Sequence, residues 1–275
     1  DVRDSERLFY ALEDVDIVFH AAALKHVPKI EYNPFESIKT NVIGSQNVID
    51  NSLRQNVEKV ICVGTDKAVS PLNTYGATKL LMEKLFVSAN NYVNSEKHRT
   101  KFVAVRYGNV LGSSGSVIPK FIDLIKKGKS ITITDSKMTR FTITMDDALE
   151  FILNATNTGK GSEIFIPKLT SYEMPTLIEA LGELCGEIKQ EIVGIRPGEK
   201  LHETLINNDE MRYSWEINGM YMLANPHYKL FNDKEILENY DGIKKVEHIQ
   251  SYSSDVSEKI SKNELKQKIQ SSNLL

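Results

Sequence analysis

The sequence predicts an α/β protein built on a parallel sheet, and three observations carry that prediction. Short, almost wholly apolar runs stand at residues 15–23 (VDIVFHAAA), 57–63 (VEKVICV) and 102–105 (FVAV). Their length and β-branched content suit strands buried on both faces, as in parallel sheets. Between them lie two stretches with helical spacing, each long enough for the crossover that parallel strands need. Strand and helix therefore alternate, a pattern of α/β proteins and not of bundles or sandwiches.

The elements follow in order. Residues 34–53 place Ile38, Val42, Ile49 and Leu53 on one helical face. Residues 75–89 carry Leu81, Leu85 and Ala89 at helical spacing, with Leu80, Met82 and Phe86 widening the stripe. After Gly108 the texture changes. Residues 112–116 (GSSGS) read as a polar loop, 119–127 as a helix, 131–134 as a strand and 146–155 as a helix. Beyond Pro167 the turn-forming residues are denser and the elements shorter. The expected organisation is a sheet domain over 1–115 with 141–168 returning to it, and a smaller domain over 116–140 and 169–246. Residues 247–275 are polar and Ser/Lys/Asn-rich, so they are expected to form a tail with one marginal helix at 256–269.

Composition narrows the function. The 275 residues fit one or two domains at about 150 residues each. Net charge is −3, which argues against a nucleic-acid or anionic-membrane partner. No apolar run approaches the roughly 18 residues of a membrane span. Cys62 and Cys185 cannot make a disulfide framework, which fits a reducing, cytoplasmic setting. The six His and two Cys lack metal-ligand spacing, so no metal is expected. The chain opens on Asp1-Val2-Arg3-Asp4 with no signal-peptide pattern and is expected to start inside a longer sequence.

The chemistry concentrates at two places. Tyr75 and Lys79 lie four apart and share a helix face, where an ammonium near a phenol lowers its pKa toward that of a general base. An ordinary surface pair has the same spacing. The 57–63 strand ends in Gly64-Thr65-Asp66-Lys67, and the carboxyl ends of parallel strands are where open α/β sheets bind ligands. Asp66 and Lys67 set an acid beside a base there; a solvent-exposed ion pair in a strand-end turn is the other reading.

These residues also carry a resemblance. His20-Ala21-Ala22, Thr40-Asn41-Val42-x-Gly44, Thr65, Tyr75-x-x-x-Lys79 and Arg106-Tyr107-Gly108-Asn109-Val110 resemble the extended short-chain dehydrogenases/reductases. Further motifs are similar to nucleotide-sugar dehydratases of the polysaccharide biosynthesis protein family, above all the inverting UDP-N-acetylglucosamine 4,6-dehydratases of surface-glycan pathways. They are Ala23-Leu24-Lys25-His26-Val27-Pro28, Thr65-Asp66-Lys67-Ala68, Met138-Thr139-Arg140-Phe141 and 196–203 (RPGEKLHE). Tyr75 stands where long membrane-bound relatives usually carry Met.

The resemblance implies a Rossmann-like doubly wound fold whose first strand, Gly-rich turn and helix would precede residue 1, roughly 50 to 60 residues in all. It implies NADP, with NAD open, a UDP-sugar substrate and a homo-oligomer. The catalytic residues would be Thr65, Asp66, Lys67, Tyr75 and Lys79, with Lys67 the C5 base and Asp66 the C6 acid, or the reverse. Cofactor contacts would come from Asp1, Val2, Ala21, Ala22, Ala23, Asn41, Tyr75 and Lys79. Substrate contacts would come from Lys25, His26, Asn109, Arg140, Arg196 and Glu199. Arg140 could equally form a strand-end salt bridge, and His26 could pack or cap a helix. The alternatives are a 4-epimerase, which needs no acid–base pair at C5 and C6, or a nucleotide-sugar-binding fragment without turnover.

Overall fold

The computed structural model describes residues 1–94, 96–113, 115–225, 232–247, 250–272 and 274–275. Ser114 of the expected 112–116 loop, and residues 248–249 and 273 of the expected tail, lie outside the described residues.

The chain forms two compact units. The first comprises Asp1–Tyr107, Ile152–Lys168 and Leu205–Ser251. Its sheet starts with three parallel strands in sequence order, β1 (Ile17–His20), β2 (Lys59–Val63) and β3 (Lys101–Val105). Ile164–Pro167 joins β3 in parallel, and Met220–Leu223, Ser214–Ile217 and Lys244–Lys245 extend the sheet antiparallel. The interior strands are buried as expected, with Val60, Ile61, Cys62 and 102–105 all inaccessible. The exception is β1, where Ile17 is 46% and Phe19 is 47% exposed. In the described sheet β1 is the edge strand and pairs on one side only.

The stretch expected as one helix over 34–53 is helical but not uniform. Pro34–Ser37 leads into a π-helical turn, Ile38–Ile43, and then into Gly44–Arg54. The wider turn carries Asn41 inward, and π-turns of this kind often mark functional positions. Gly44 is required by contact, since a Cβ there would meet Val2 Cγ2 at 2.7 Å.

The second unit comprises Gly108–Phe151, Leu169–Thr204 and Tyr252–Leu275. Asn109–Val110 runs parallel to Thr139–Ile143, which pairs antiparallel with Ser171–Glu173. Ile131–Ile133 pairs in parallel with Gln190–Ile192. The helices Val117–Lys126, Met174–Cys185 and Lys262–Ser271 contribute Phe121, Ile122, Leu177, Leu181, Leu265 and Ile269 to one core.

This partition differs from the expected one in four places. Residues 108–115 and 141–151, expected in the first domain, fall in the second unit. Residues 205–251 pack with the first unit, because 214–217 and 220–223 complete its sheet. The C-terminal segment is no loose tail. Leu265 and Ile269, one turn apart, are buried to zero exposure, and Ser261 and Glu264 form a capping box ahead of them. Two apolar residues at i, i+4 are a narrow stripe that composition alone hides.

Candidate active site

In the first unit, β2 ends at Val63, and Thr65 caps the one-turn 3₁₀ helix Asp66–Ala68 by accepting from the Lys67 amide. The Asp66 amide donates to the Tyr107 carbonyl at 3.1 Å, which ties this turn to the chain leaving β3. The helix Thr74–Ala89 follows, with Asn73 accepting from the Gly76 amide at 2.8 Å. A Cβ on Gly76 would meet the Lys67 carbonyl oxygen at 2.3 Å. Only glycine lets the first turn of this helix approach the 3₁₀ turn so closely, and that approach brings Tyr75 to Thr65, Asp66 and Lys67.

The cluster is mostly dry. Asp66 is 1% exposed, and its Oδ1 accepts from Thr65 Oγ1 at 2.8 Å and from Lys67 Nζ at 3.0 Å. Its Oδ2 is buried and has no hydrogen-bond partner among the described residues. A carboxylate oxygen placed so is costly unless a proton or a ligand hydroxyl satisfies it. Lys67 keeps part of its side chain in solvent.

Tyr75 departs from the sequence expectation. Burial pushes its phenol above the ordinary tyrosine range, and Lys67 and a hydrogen bond with Thr65 pull it back. The cation bearing on the phenol is thus Lys67. Lys79 is buried and turns inward, where its Nζ donates to the Val63 carbonyl at 2.8 Å and lies 3.5 Å from Met82 Sδ. Burial holds the Lys79 ammonium below its ordinary pKa.

Asn41 is a clamp. Its Oδ1 accepts from the Leu24 amide at 2.7 Å, and its Nδ2 donates to the Leu24 carbonyl and to Thr78 Oγ1, both at 3.0 Å. It fixes the chain after β1 against the helix of Tyr75 and Lys79. Ala21, Ala22 and Ala23 lie in that chain, open or half-open. Asp1 pairs with Arg3, whose Nη2 donates to Asp1 Oδ2 at 2.6 Å, and the Val2 carbonyl accepts from Asn47. Lys25 and His26 are exposed; His26 holds the N-cap position of Val27–Tyr32 without a side-chain capping bond.

The remaining expected residues belong to the second unit. Arg140 donates to the carbonyls of Thr139, Leu201 and Lys200 at 2.7, 3.0 and 3.1 Å, and its Nη2 lies 3.3 Å from Met138 Sδ. Its Nε is 3.6 Å from Glu203. The guanidinium is engaged inside the unit and braces the segment that follows Arg196 and Glu199. Arg196 and Glu199 flank a turn in which Gly198 takes φ +80°. Arg196 is exposed, and Glu199 and Asn109 are half-buried.

Sequence reasoning passed over three groups. His20 is buried at the end of β1, stacked on Phe86 and bonded to Ser45 Oγ at 2.9 Å. Glu83, one turn after Lys79, and Arg106 form a buried ion pair that also takes in Glu210. The signal for Glu83 and Arg106 was in plain view, as charges inside an apolar helix stripe and at the end of an apolar strand.

The comparisons with known proteins match this architecture. A family model described as "Polysaccharide biosynthesis protein" covers residues 1–225. The chain belongs to that family. It is 48% identical over 259 residues to the UDP-N-acetylglucosamine 4,6-dehydratase (inverting) of Campylobacter jejuni, spanning 93% of this chain and 76% of that protein. It is 39% identical over 267 residues to the UDP-glucose 4-epimerase of Rickettsia akari, spanning 97% and 77%. Among solved structures, Pen from Bacillus thuringiensis superposes with a TM-score of 0.86 at 39% identity, over 100% of this chain and 80% of that one. The fold is the Rossmann-like α/β type.

Proposed function

We propose that this member of the polysaccharide biosynthesis protein family is a nucleotide-sugar 4,6-dehydratase that removes water from UDP-N-acetylglucosamine, with inversion at C5. One observation carries the reading: a buried Asp66 and a half-buried Lys67 in contact at 3.0 Å, beside Thr65 and Tyr75. Such an acid–base pair is what elimination needs and what simple C4 epimerisation does not.

A nicotinamide cofactor, NADP in this proposal, supplies a hydride acceptor and later a hydride donor when bound. The residues present fit it. The Lys79 ammonium has three donors, and the Val63 carbonyl takes one at 2.8 Å, which leaves donor capacity for a ribose hydroxyl. Ala21, Ala22 and Ala23 leave room at the end of β1 for the backbone to be approached closely. Asp1 and Val2 are proposed near the adenosine end.

Tyr75 removes the O4 proton of the sugar, and Thr65 hydrogen-bonds the phenol and orients it. Oxidation at C4 acidifies the C5 proton, so a base of modest strength suffices. Lys67 is that base and Asp66 is the acid that protonates O6 as it leaves as water; hydride returned to C6 and a proton delivered to C5 from the opposite face then give the inverted, saturated product. A proton moved from Lys67 Nζ to the Asp66 carboxylate turns the ion pair into an amine and a carboxylic acid, so one step prepares both roles. Asp66 Oδ2, buried and unpartnered, is the oxygen suited to carry that proton toward substrate. In the second unit, Arg196 is proposed to bind phosphate oxygens and Glu199 the ribose hydroxyls. Asn109 is a further proposed contact, with Arg140 bracing their segment. Lys25 and His26 are exposed and proposed at the sugar side of the first unit.

The test is mass spectrometry of the nucleotide sugar after incubation with the protein and NADP. Loss of the mass of one water supports dehydration. An unchanged mass with a galacto product supports the epimerase reading, which the Rickettsia relative keeps in play. An unaltered sugar refutes both.

A further inference from the structure

Arg106 is inaccessible to solvent, yet all its donors are used. Its Nε and Nη2 donate to the two Glu83 oxygens at 3.0 and 2.6 Å. Its Nη1 and Nη2 donate to the two Glu210 oxygens, both at 3.0 Å, and Nη1 also donates to the Leu205 carbonyl at 2.7 Å. Within this set, two carboxylates against one guanidinium leave one negative charge in excess, and Lys84 is the further cation that bears on Glu210. A fully neutralised pair would have needed only one glutamate. Glu83 lies on the same helix as Lys79, one turn away, and Glu210 on the short helix Asn208–Met211.

Lys79 needs such a charge. It is buried, and its Nζ donates to the Val63 carbonyl and lies 3.5 Å from Met82 Sδ, neither of which carries charge. Three titratable groups face it: His20 from β1, Cys62 from β2 and Glu83 from its own helix. Burial depresses His20 to about 4, so that imidazole is neutral near pH 7. Burial raises the Cys62 thiol to about 12, so it is neutral as well. Glu83, held in its two-pronged contact with Arg106, is the remaining group of the three.

We infer that Glu83, clamped by Arg106 and supplemented by Glu210, is the counter-charge that keeps the Lys79 ammonium protonated, which makes these three positioning residues for the Lys79 site. The consequence for catalysis rests on the dehydratase reading; the charge state of Lys79 does not.

The experiment is an NMR titration of the full chain labelled with ¹³C at lysine Cε, without substrate or cofactor. The Lys79 signal is identified by its loss in Lys79→Met. The wild type should show a protonated Lys79 at pH 7; a neutral amine there overturns the inference outright. Glu83→Gln should lower the Lys79 midpoint by roughly one unit, a tenfold change in proton affinity. Glu210→Gln keeps the bidentate Arg106–Glu83 pair, removes the excess charge and should lower the midpoint less. It therefore serves if Glu83→Gln does not fold. An unchanged midpoint in either folded variant reduces the triad to a brace and overturns the inference. Because no turnover is involved, failure here is separate from failure of the water-loss assay.

Discussion

At the residue scale, the site is decided by which charges are dry. Lys67 and Asp66 share a hydrogen bond, and only Lys67 reaches solvent. Lys67→Ala should abolish release of water while cofactor affinity stays within about twofold, because the proposal gives the C5 proton to Lys67 and the cofactor ribose to Lys79. Single-turnover mass analysis alongside a fluorescence titration of cofactor measures both; normal water release by the variant would sink the assignment. His20 gives a second test. Burial first, and Lys79 second, depress it from 6.5 to about 4. Below pH 6.5 the unfolded chain takes up a proton that the folded chain refuses until about pH 4. Stability from this group is thus complete above 6.5 and is lost as pH falls through that window, by about 3 kcal/mol in all. Denaturation midpoints of wild type and His20→Gln should converge as pH falls, and parallel curves would contradict the account.

At the element scale, the helix Thr74–Ala89 is placed by its first turn. Asn73 caps it, and Gly76 sets its distance from the 3₁₀ turn. Asn73→Ala should cost about 1 kcal/mol, as cap removals do. Gly76→Ala should cost about 1–3 kcal/mol through overpacking against the Lys67 carbonyl, a backbone atom that cannot swing aside. Activity should separate the two. Gly76→Ala moves Tyr75 away from Thr65 and should lose most turnover, whereas Asn73→Ala should keep it. Thermal melts with initial rates measured below the melting range distinguish these effects.

At the scale of the whole molecule, the Lys262–Ser271 helix belongs to the core of the second unit. Leu265→Ala should destabilise by about 2–5 kcal/mol, and scanning calorimetry would show it; a change under about half a kcal/mol would restore the view of a loose tail. No helix among the described residues is long and apolar enough to cross a membrane.

Much was legible beforehand because local chemistry determines it. Apolar runs of strand length, the 75–89 helix and the order of motifs fixed the parallel α/β fold and grouped Thr65, Asp66, Lys67 and Tyr75 at one strand end. Sequence spacing also put Lys79 on the face of Tyr75, but spacing is blind to which neighbour a flexible ammonium will choose. Packing chose the Val63 carbonyl for Lys79 and left Lys67 to act on the phenol. Arg140 was legible only as a cation; besides the adjacent Thr139 carbonyl, the carbonyls it donates to lie some 60 residues on. The sequence by itself determined the fold class and the residues at the end of β2, because these depend on periodicity and short spacing, while the order of its motifs carried the resemblance to the family. Tertiary structure alone decided the Glu83–Arg106–Glu210 triad, the burial of His20 and the docking of Leu265, because burial and long-range charge pairing arise only when distant segments close on one another.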